Sequence, residues 1–369
     1  MSLSLVISVP AGADSSALHV LYARTPNNVT ASGRQLLVNS DPFTVKGVVY
    51  TPVPVGADPE TAPPYGYGDY YTSAYSSIYN RDLPLLSAMG ANTIRVLGWD
   101  NLADHTDFLD AAYAYGIKVI PGFWVNAGQD ISQESVRDQI ASDFRDMVSV
   151  HKDHPAILMW AIGNDLNAGT MYGGDLANVL NLTNGMSTEA HAEDTNHPVT
   201  TPLADEDLID FIMYNDATSN IDIWGANVYR GNTFGTLFTD YEAYSGKPLI
   251  ITGYGADAYD SMTEMESESG QSDYAAALWG EIEANADVCT GGTIMEYSDQ
   301  WWKGKYSADP GCTDINPAVH GVCGYAPSEQ PDGYDNYEWW GIMRYSVTNP
   351  EIVEPRAIYT TLQTLWTTP

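Results

Sequence analysis

The sequence predicts an α/β protein built as a (β/α)8 barrel with a short N-terminal β extension. Eight short apolar runs rich in Val, Ile and aromatic residues recur along 369 residues, and longer amphipathic segments separate them. That alternation is the pattern of parallel strands joined by crossover helices, and eight is the number that closes such a barrel. No linker of biased composition interrupts the chain.

The runs, in order, are Phe43 to Tyr50, Ala91 to Trp99, Ile117 to Val125, Ile157 to Asp165, Pro198 to Leu203, Ile221 to Tyr229, Pro248 to Gly255 and Gly291 to Trp301. Phe108, Ala111, Ala112 and Tyr115 recur at helical spacing before the third run. Val136, Ile140, Phe144, Met147 and Val148 do the same before the fourth. Tyr115-Gly116-Ile117 reads as a helix C-cap feeding a strand. Residues 1–41, with short apolar stretches such as Leu18 to Tyr22, read as a small β hairpin that plugs the barrel floor, and residues 42–369 as the barrel.

Composition narrows the function. A formal net charge of -33, from 48 acidic and 15 basic residues, argues against nucleic acid or an anionic membrane surface as the partner and favours a neutral ligand. Runs such as Asp205-Glu206-Asp207 read as solvated exterior. No apolar stretch approaches the roughly 20 residues needed to span a bilayer. Met1 to Pro10 has no basic flank and reads as mature sequence rather than a signal peptide, and an exported protein is favoured. Cys289, Cys312 and Cys323 lack zinc-site spacing; Cys312 and Cys323 flank a short Pro/Gly loop and are candidates for a disulfide. The triplets Asn28-Val29-Thr30 and Asn181-Leu182-Thr183 occur too readily by chance to carry weight. No metal or organic cofactor is implied.

In a barrel of this kind chemistry sits at the C-terminal strand ends. Those ends carry Tyr50, Arg95 with Trp99, Trp124 with Asn126, Asn164 with Asp165, Tyr229 with Arg230, Gly253 with Tyr254, and Glu296 through Trp302. Amides, aromatics and carboxylates on one rim make a sugar-binding surface, because aromatic faces stack on pyranose rings while polar groups meet the hydroxyls. The loop Pro52 to Tyr79, with Tyr65, Tyr67, Tyr70, Tyr71 and Tyr75, is placed over the same mouth.

Four stretches together carry a family resemblance: Ala91-Asn92-Thr93-Ile94-Arg95-Val96, Trp160-Ala161-Ile162-Gly163-Asn164-Asp165, Pro248-Leu249-Ile250-Ile251-Thr252-Gly253-Tyr254-Gly255-Ala256, and Tyr297-Ser298-Asp299-Gln300-Trp301-Trp302-Lys303. From about Phe43 onward the chain resembles clan A glycoside hydrolases, most of all fungal β-1,3-glucanosyltransferases and related bacterial β-glucanases and β-glycosidases. The resemblance implies a retaining glycosidase or transglycosylase acting on an oligo- or polysaccharide, expected to be a β-1,3-glucan. It places an acid/base glutamate at position 165 and a nucleophilic glutamate at position 253, where this chain has Asp165 and Gly253. It further implies that Asn164 meets the sugar 2-hydroxyl, that Arg95 and Tyr229 lie beside the nucleophile, and that Trp301 floors the subsite.

Retaining hydrolysis needs two carboxyl groups about 5 to 5.5 Å apart. Gly253 supplies none, and Asp165 is one methylene short. The expectation is therefore a site inactive or impaired in hydrolysis, in which Gly253→Glu would restore turnover. The alternative is a diverged glycan-binding protein, or an enzyme using another base such as Glu296; a barrel kept only as an assembly scaffold ranks last. Asp299 is a further candidate of the same kind as Glu296. The other residues also have plainer readings: Asp165 as a helix cap, Gly253 as a tight-backbone glycine, and Glu296 as a group facing the helices or pairing with Arg344 or Lys303. Arg95 reads either as a structural arginine hydrogen-bonding strand-end carbonyls or, lacking a carboxylate at position 253, as a guanidinium whose partner is a water, an anion or another acidic residue. Trp301, Trp302, Trp339 and Trp340 are candidates both for core and for a glycan platform, one of each pair facing each way.

Overall fold

The computed structural model describes residues 25–59, 68–168, 175–306, 316–322, 326–346 and 348–368. Three short antiparallel strands come first, β1 (Val29–Ser32), β2 (Gln35–Val38) and β3 (Asp41–Pro42). Val29 and Leu36 of this sheet join Val45, Ile120, Ile223 and Ile250 in one buried cluster, so the sheet packs against residues of the barrel strands. The apolar stretch Leu18 to Tyr22 lies outside the described residues.

The barrel itself alternates β4 (Val45–Val49), α1 (Ser76–Met89), β5 (Thr93–Val96), α2 (Thr106–Ala114), β6 (Lys118–Phe123), α3 (Glu134–His151), β7 (Trp160–Ile162), α4 (Leu176–Glu193), β8 (Val199–Ala204), α5 (Leu208–Asn215), β9 (Ile223–Asn227), α6 (Leu237–Tyr244) and β10 (Leu249–Tyr254). After the small hairpin β11 (Tyr259–Asp260) and β12 (Met265–Glu266), α7 (Glu268–Ala284) leads to β13 (Cys289–Ile294). Parallel pairing runs from β4 through β10 in order, β11 and β12 apart, and β13 closes between β10 and β4. All eight apolar runs form barrel strands. The eighth ends at Ile294, so Met295 to Trp302 belong to the rim rather than to a strand.

Local chemistry explains the elements. In α3 the buried face is Ile140, Phe144, Met147 and Val148, the period-3.6 stripe read from sequence. Gly116 follows α2 with φ +73°, the left-handed residue that ends a helix at low steric cost. Beyond β13 come the hairpins β14 (Ala326–Pro327) with β15 (Tyr334–Asp335) and β16 (Met343–Ser346) with β17 (Asn349–Pro355), and then α8 (Ala357–Thr367). The buried Arg356 binds Asp299 through two nitrogens at 2.7 and 2.8 Å and Glu266 at 2.6 Å, tying the C-terminal segment to the rim. Cys289 is a buried free thiol, whereas Cys312 and Cys323 lie outside the described residues. No described helix is long and apolar enough to cross a membrane.

Candidate functional site

A cleft of about 250 Å³ opens at the C-terminal end of the barrel. Its floor comes from strand ends: Arg95 in β5 and Leu97 just after it, Asn164 and Asp165 after β7, Asn227 ending β9 and Tyr229 just beyond it. One wall is made by Met295, Gln300 and Lys303 after β13, and the other by Ser328, Gln330, Asp335, Tyr337 and Trp340.

Two left-handed residues shape the β7 end. Gly163 (φ +62°) turns the chain where an added Cβ would press within 2.6 to 2.7 Å of the Leu166 side chain. Asp165 (φ +54°) follows, a conformation that Asp tolerates better than most residues, with its N–H held by Pro202 O at 2.9 Å. The turn delivers Asn164 and Asp165 to the cleft together.

There they join an array centred on Arg95, which is buried. Arg95 donates to Thr252 O at 2.6 Å, to Asn227 Oδ1 at 3.2 Å and to Asn164 Oδ1 at 2.6 Å. Asn227 Nδ2 donates to Asn164 Oδ1 at 3.0 Å and to Asp165 Oδ1 at 2.8 Å, and Asn164 Nδ2 donates to Asp165 Oδ2 at 2.7 Å. Among the described residues the partners of Arg95 include the Thr252 carbonyl, as the strand-end-carbonyl reading expects, and the amide oxygens of Asn227 and Asn164, and its charge also acts on the Asp165 carboxyl. Burial raises the Asp165 carboxyl above its ordinary value, and the bonds from Asn227 and Asn164 and the Arg95 charge act against that rise.

The space that a side chain at position 253 would enter is occupied. A Cβ on Gly253 would lie 2.7 Å from Tyr229 Oη and 2.8 Å from Asn227 Oδ1. Gly253 pairs with Asn227 across the β10–β9 ladder, and Asn227 also binds Asp165, so one side chain bridges the two positions of interest. The body of the Tyr229 ring faces the cleft with the residue 37% exposed, while its hydroxyl end is enclosed. That enclosure, followed by the charge of Asp165, raises the phenol far above its ordinary value. Trp340 meets the Tyr229 ring edge-on at 5.4 Å and is held by Asp335 through an indole N–H bond of 2.9 Å. Burial pushes the Asp335 carboxyl up to about 6.

Other rim residues point elsewhere. Tyr50 is fully buried with its hydroxyl on Asp82 of α1, so it faces the helices. Tyr254 alternates with Gly253 along β10 and packs against Phe234 outside the barrel. Trp124 is half-buried and is not among the cleft-lining residues. Trp301 has its face covered by His320, stacked at 4.9 Å, and His320 stacks in turn on Trp339 at 3.8 Å, so neither indole faces the cleft. Trp302 packs with Val53 and Tyr70, and Tyr71 is buried with its hydroxyl on Tyr50 O. Tyr65 and Tyr67 lie outside the described residues. Of the four late tryptophans Trp340 alone lines the cleft.

Glu296 faces neither the helices nor Arg344, which pairs instead with Glu266, Glu268 and Glu354. It is fully buried beneath the rim and bonded by the Thr51 hydroxyl. Asp299 is taken by Arg356. Among the described residues no group of His, Cys, Asp and Glu is placed to hold a metal ion. Sequence reasoning missed Asn227, whose place two residues before Tyr229 in the same apolar run was the available signal. It also missed Ser328, Gln330, Asp335 and Tyr337, for which there was none.

An open cleft at the strand C-termini of a barrel, lined by Arg, Asn, Asp, Tyr and Trp among others, suits carbohydrate binding and chemistry. The sequence profile of glycosyl hydrolases family 2, TIM barrel domain, matches residues 76–301, and the chain belongs to that family. It is 26% identical over 208 residues to β-glucuronidase of Mus musculus, covering 54% of this chain and 31% of that protein. It is 25% identical over 281 residues to 1,3-beta-glucanosyltransferase gas5 of Schizosaccharomyces pombe, covering 70% of this chain and 51% of that one. The chain thus spans about a third to a half of these relatives' lengths. The fold is shared with Faecalibacterium prausnitzii β-glucuronidase (TM-score 0.63, 19% identity, 92% of this chain and 51% of that chain). It is shared equally with a glutamate-to-glutamine mutant of Saccharomyces cerevisiae Gas2p in complex with laminaritetraose and laminaripentaose (TM-score 0.62, 17% identity, 94% and 68%).

Proposed function

We propose that the cleft binds a β-linked glucan, with β-1,3-linked chains the first candidates, and holds it without the double displacement of a retaining glycosidase. The observation that carries this reading is the Tyr229 hydroxyl in the space a side chain at position 253 would enter. A retaining reaction needs an ionised nucleophile opposite a proton donor. Tyr229 is a poor substitute, because its enclosed phenol resists ionisation. Asp165 remains as a carboxyl group with both oxygens engaged by amides.

What survives suits a neutral sugar. Trp340 and the Tyr229 ring offer apolar faces, and Gln300, Gln330 and Ser328 offer neutral donors and acceptors. The likeness to the glucanosyltransferase covers 70% of this chain. A titration calorimetry series with laminari- and cello-oligosaccharides, with an aryl β-glucuronide for comparison and product analysis on the same samples, tests the reading. Saturable binding of a β-glucan oligosaccharide with intact ligand recovered supports it. Sustained release of reducing sugar, or no binding of any oligosaccharide, overturns it.

A further inference from the structure

Beneath the cleft wall lies a second polar file that the Arg95 array does not use. Glu296 is 0% exposed; the Thr51 hydroxyl bonds its Oε2, and among the described residues its Oε1 has no hydrogen-bond partner. Gln300 Nε2 donates to Thr51 Oγ1 at 3.2 Å, so Gln300 is linked to the Glu296 carboxyl through Thr51. Gln300 is the member of this file that reaches the cleft. The backbone of Glu296 is fixed under the aromatic wall, its N–H donating to Trp340 O at 3.1 Å and its carbonyl accepting from Ile342 N at 2.8 Å.

The surroundings decide the charge state of this acid. Burial is the largest influence and raises the carboxyl to about 8, so at neutral pH it is protonated. Lys303 and Asp299 face it from its own loop and Tyr229 from β9; Asp299 is already neutralised by Arg356, and Lys303 is shared electrostatically with Asp165 and Asp335. Thr51 and Gln300 supply the remaining polar contacts, and neither carries charge.

We propose that Glu296, as a neutral acid acting through Thr51, is a positioning residue that fixes the Gln300 amide at the cleft for a sugar hydroxyl. The inference rests on the glycan-binding reading and adds a specificity element to it. Protonated at Oε1, Glu296 leaves Oε2 to accept from Thr51, whose oxygen accepts from Gln300, so each donor in the file points the same way. Ionisation places an uncompensated charge under the wall and draws Lys303 and the Gln300 amide toward it. Binding of a neutral glycan then weakens as pH rises through the Glu296 transition. Burial pushes the Asp335 carboxyl only up to about 6 and the Tyr229 phenol far above its ordinary value, while the Asp165 carboxyl is also raised, and Glu296→Gln separates the effect of Asp165 from that of Glu296.

The test is oligosaccharide affinity by titration calorimetry across pH for the wild-type chain, Glu296→Gln and Glu296→Ala, with circular dichroism confirming each fold. If only the neutral form binds, wild-type affinity falls about tenfold from about pH 7 to about pH 9. Glu296→Gln, neutral at every pH and able to accept from Thr51, keeps the pH 7 affinity and loses the fall. Glu296→Ala binds more weakly at pH 7 and shows no fall. A Glu296→Gln profile that still drops, or a folded Glu296→Ala protein that binds like wild type at pH 7, overturns the inference alone. Absence of wild-type binding at every pH overturns the underlying function as well.

Discussion

Replacing Gly253 with alanine puts a single methyl group where the family's nucleophile would begin. At an unobstructed site with compatible backbone, Gly→Ala stabilises a protein by about 0.4–1 kcal/mol, because it restricts the unfolded chain. Gly280, on α7 with nothing within 4 Å of its added Cβ, is such a site and serves as the control. At position 253 the methyl would instead meet Tyr229 Oη at 2.7 Å and Asn227 Oδ1 at 2.8 Å. The Tyr229 hydroxyl end is enclosed and does not yield freely. Asn227 is held as well, because Arg95 and Thr252 bind its oxygen while its nitrogen is bonded to Asn164 and Asp165. Overpacking of this kind costs about 1–3 kcal/mol, so the sign should reverse relative to the control. Chemical denaturation of Gly253→Ala, Gly280→Ala and the double variant Gly253→Ala/Tyr229→Phe measures it. Removing the hydroxyl relieves one of the two contacts, so the double variant should recover part of the loss. Gly253→Ala as stable as Gly280→Ala, with no coupling to Tyr229, would refute the packing argument.

The same packing predicts that Gly253→Glu alone releases no sugar from an aryl β-glycoside, whereas adding Tyr229→Ala makes space for the carboxylate; turnover by the single variant would show that Tyr229 yields freely. Arg356→Met leaves Asp299 buried without its partner and should cost about 3–5 kcal/mol in denaturant melts, a loss within experimental error counting against that lock. The folded-state carboxyl of Glu296 is raised to about 8, so its neutral form contributes stability that is full below the ordinary glutamate value and is lost as pH rises through about 8. Wild-type unfolding free energy should therefore decline across that window and level off above it, and Glu296→Gln should remove that part of the slope. Trp340→Ala should weaken oligosaccharide binding roughly tenfold through loss of the stacking face, with stability read in parallel to separate the two effects.

Much of this arrangement was legible in the chain. The barrel strands announced themselves because each is short, apolar and bounded by a helical stripe, as β6 is by α2 and α3. Arg95, Asn164, Asp165 and Tyr229 fell at strand ends and do converge on one cleft. Tyr50 and Tyr254 fell there too, but alternation along a strand sends every second residue outward, and a register known only to within a residue cannot choose between the faces. The aromatic rim misled for a related reason. Trp301 looks like a platform until His320, nineteen residues later, covers its face. The wall carrying Asp335 and Trp340 left little trace, because its strands are two residues long and its anchors are long-range bonds such as Asn336 N to Asp257 Oδ2 at 2.9 Å. Nor does sequence reveal that a neighbouring tyrosine fills the room left by Gly253, since that depends on side-chain direction across two strands.

The most direct test is a crystal structure of the wild-type chain soaked with laminari-oligosaccharide. An unbroken chain with one ring against Trp340 and its anomeric carbon over the Tyr229 hydroxyl, beside the Asp165 carboxyl, is the predicted result. A cleaved or covalently attached sugar, or a ligand bound away from Arg95, Asn164 and Tyr229 while the cleft stands open, would contradict it.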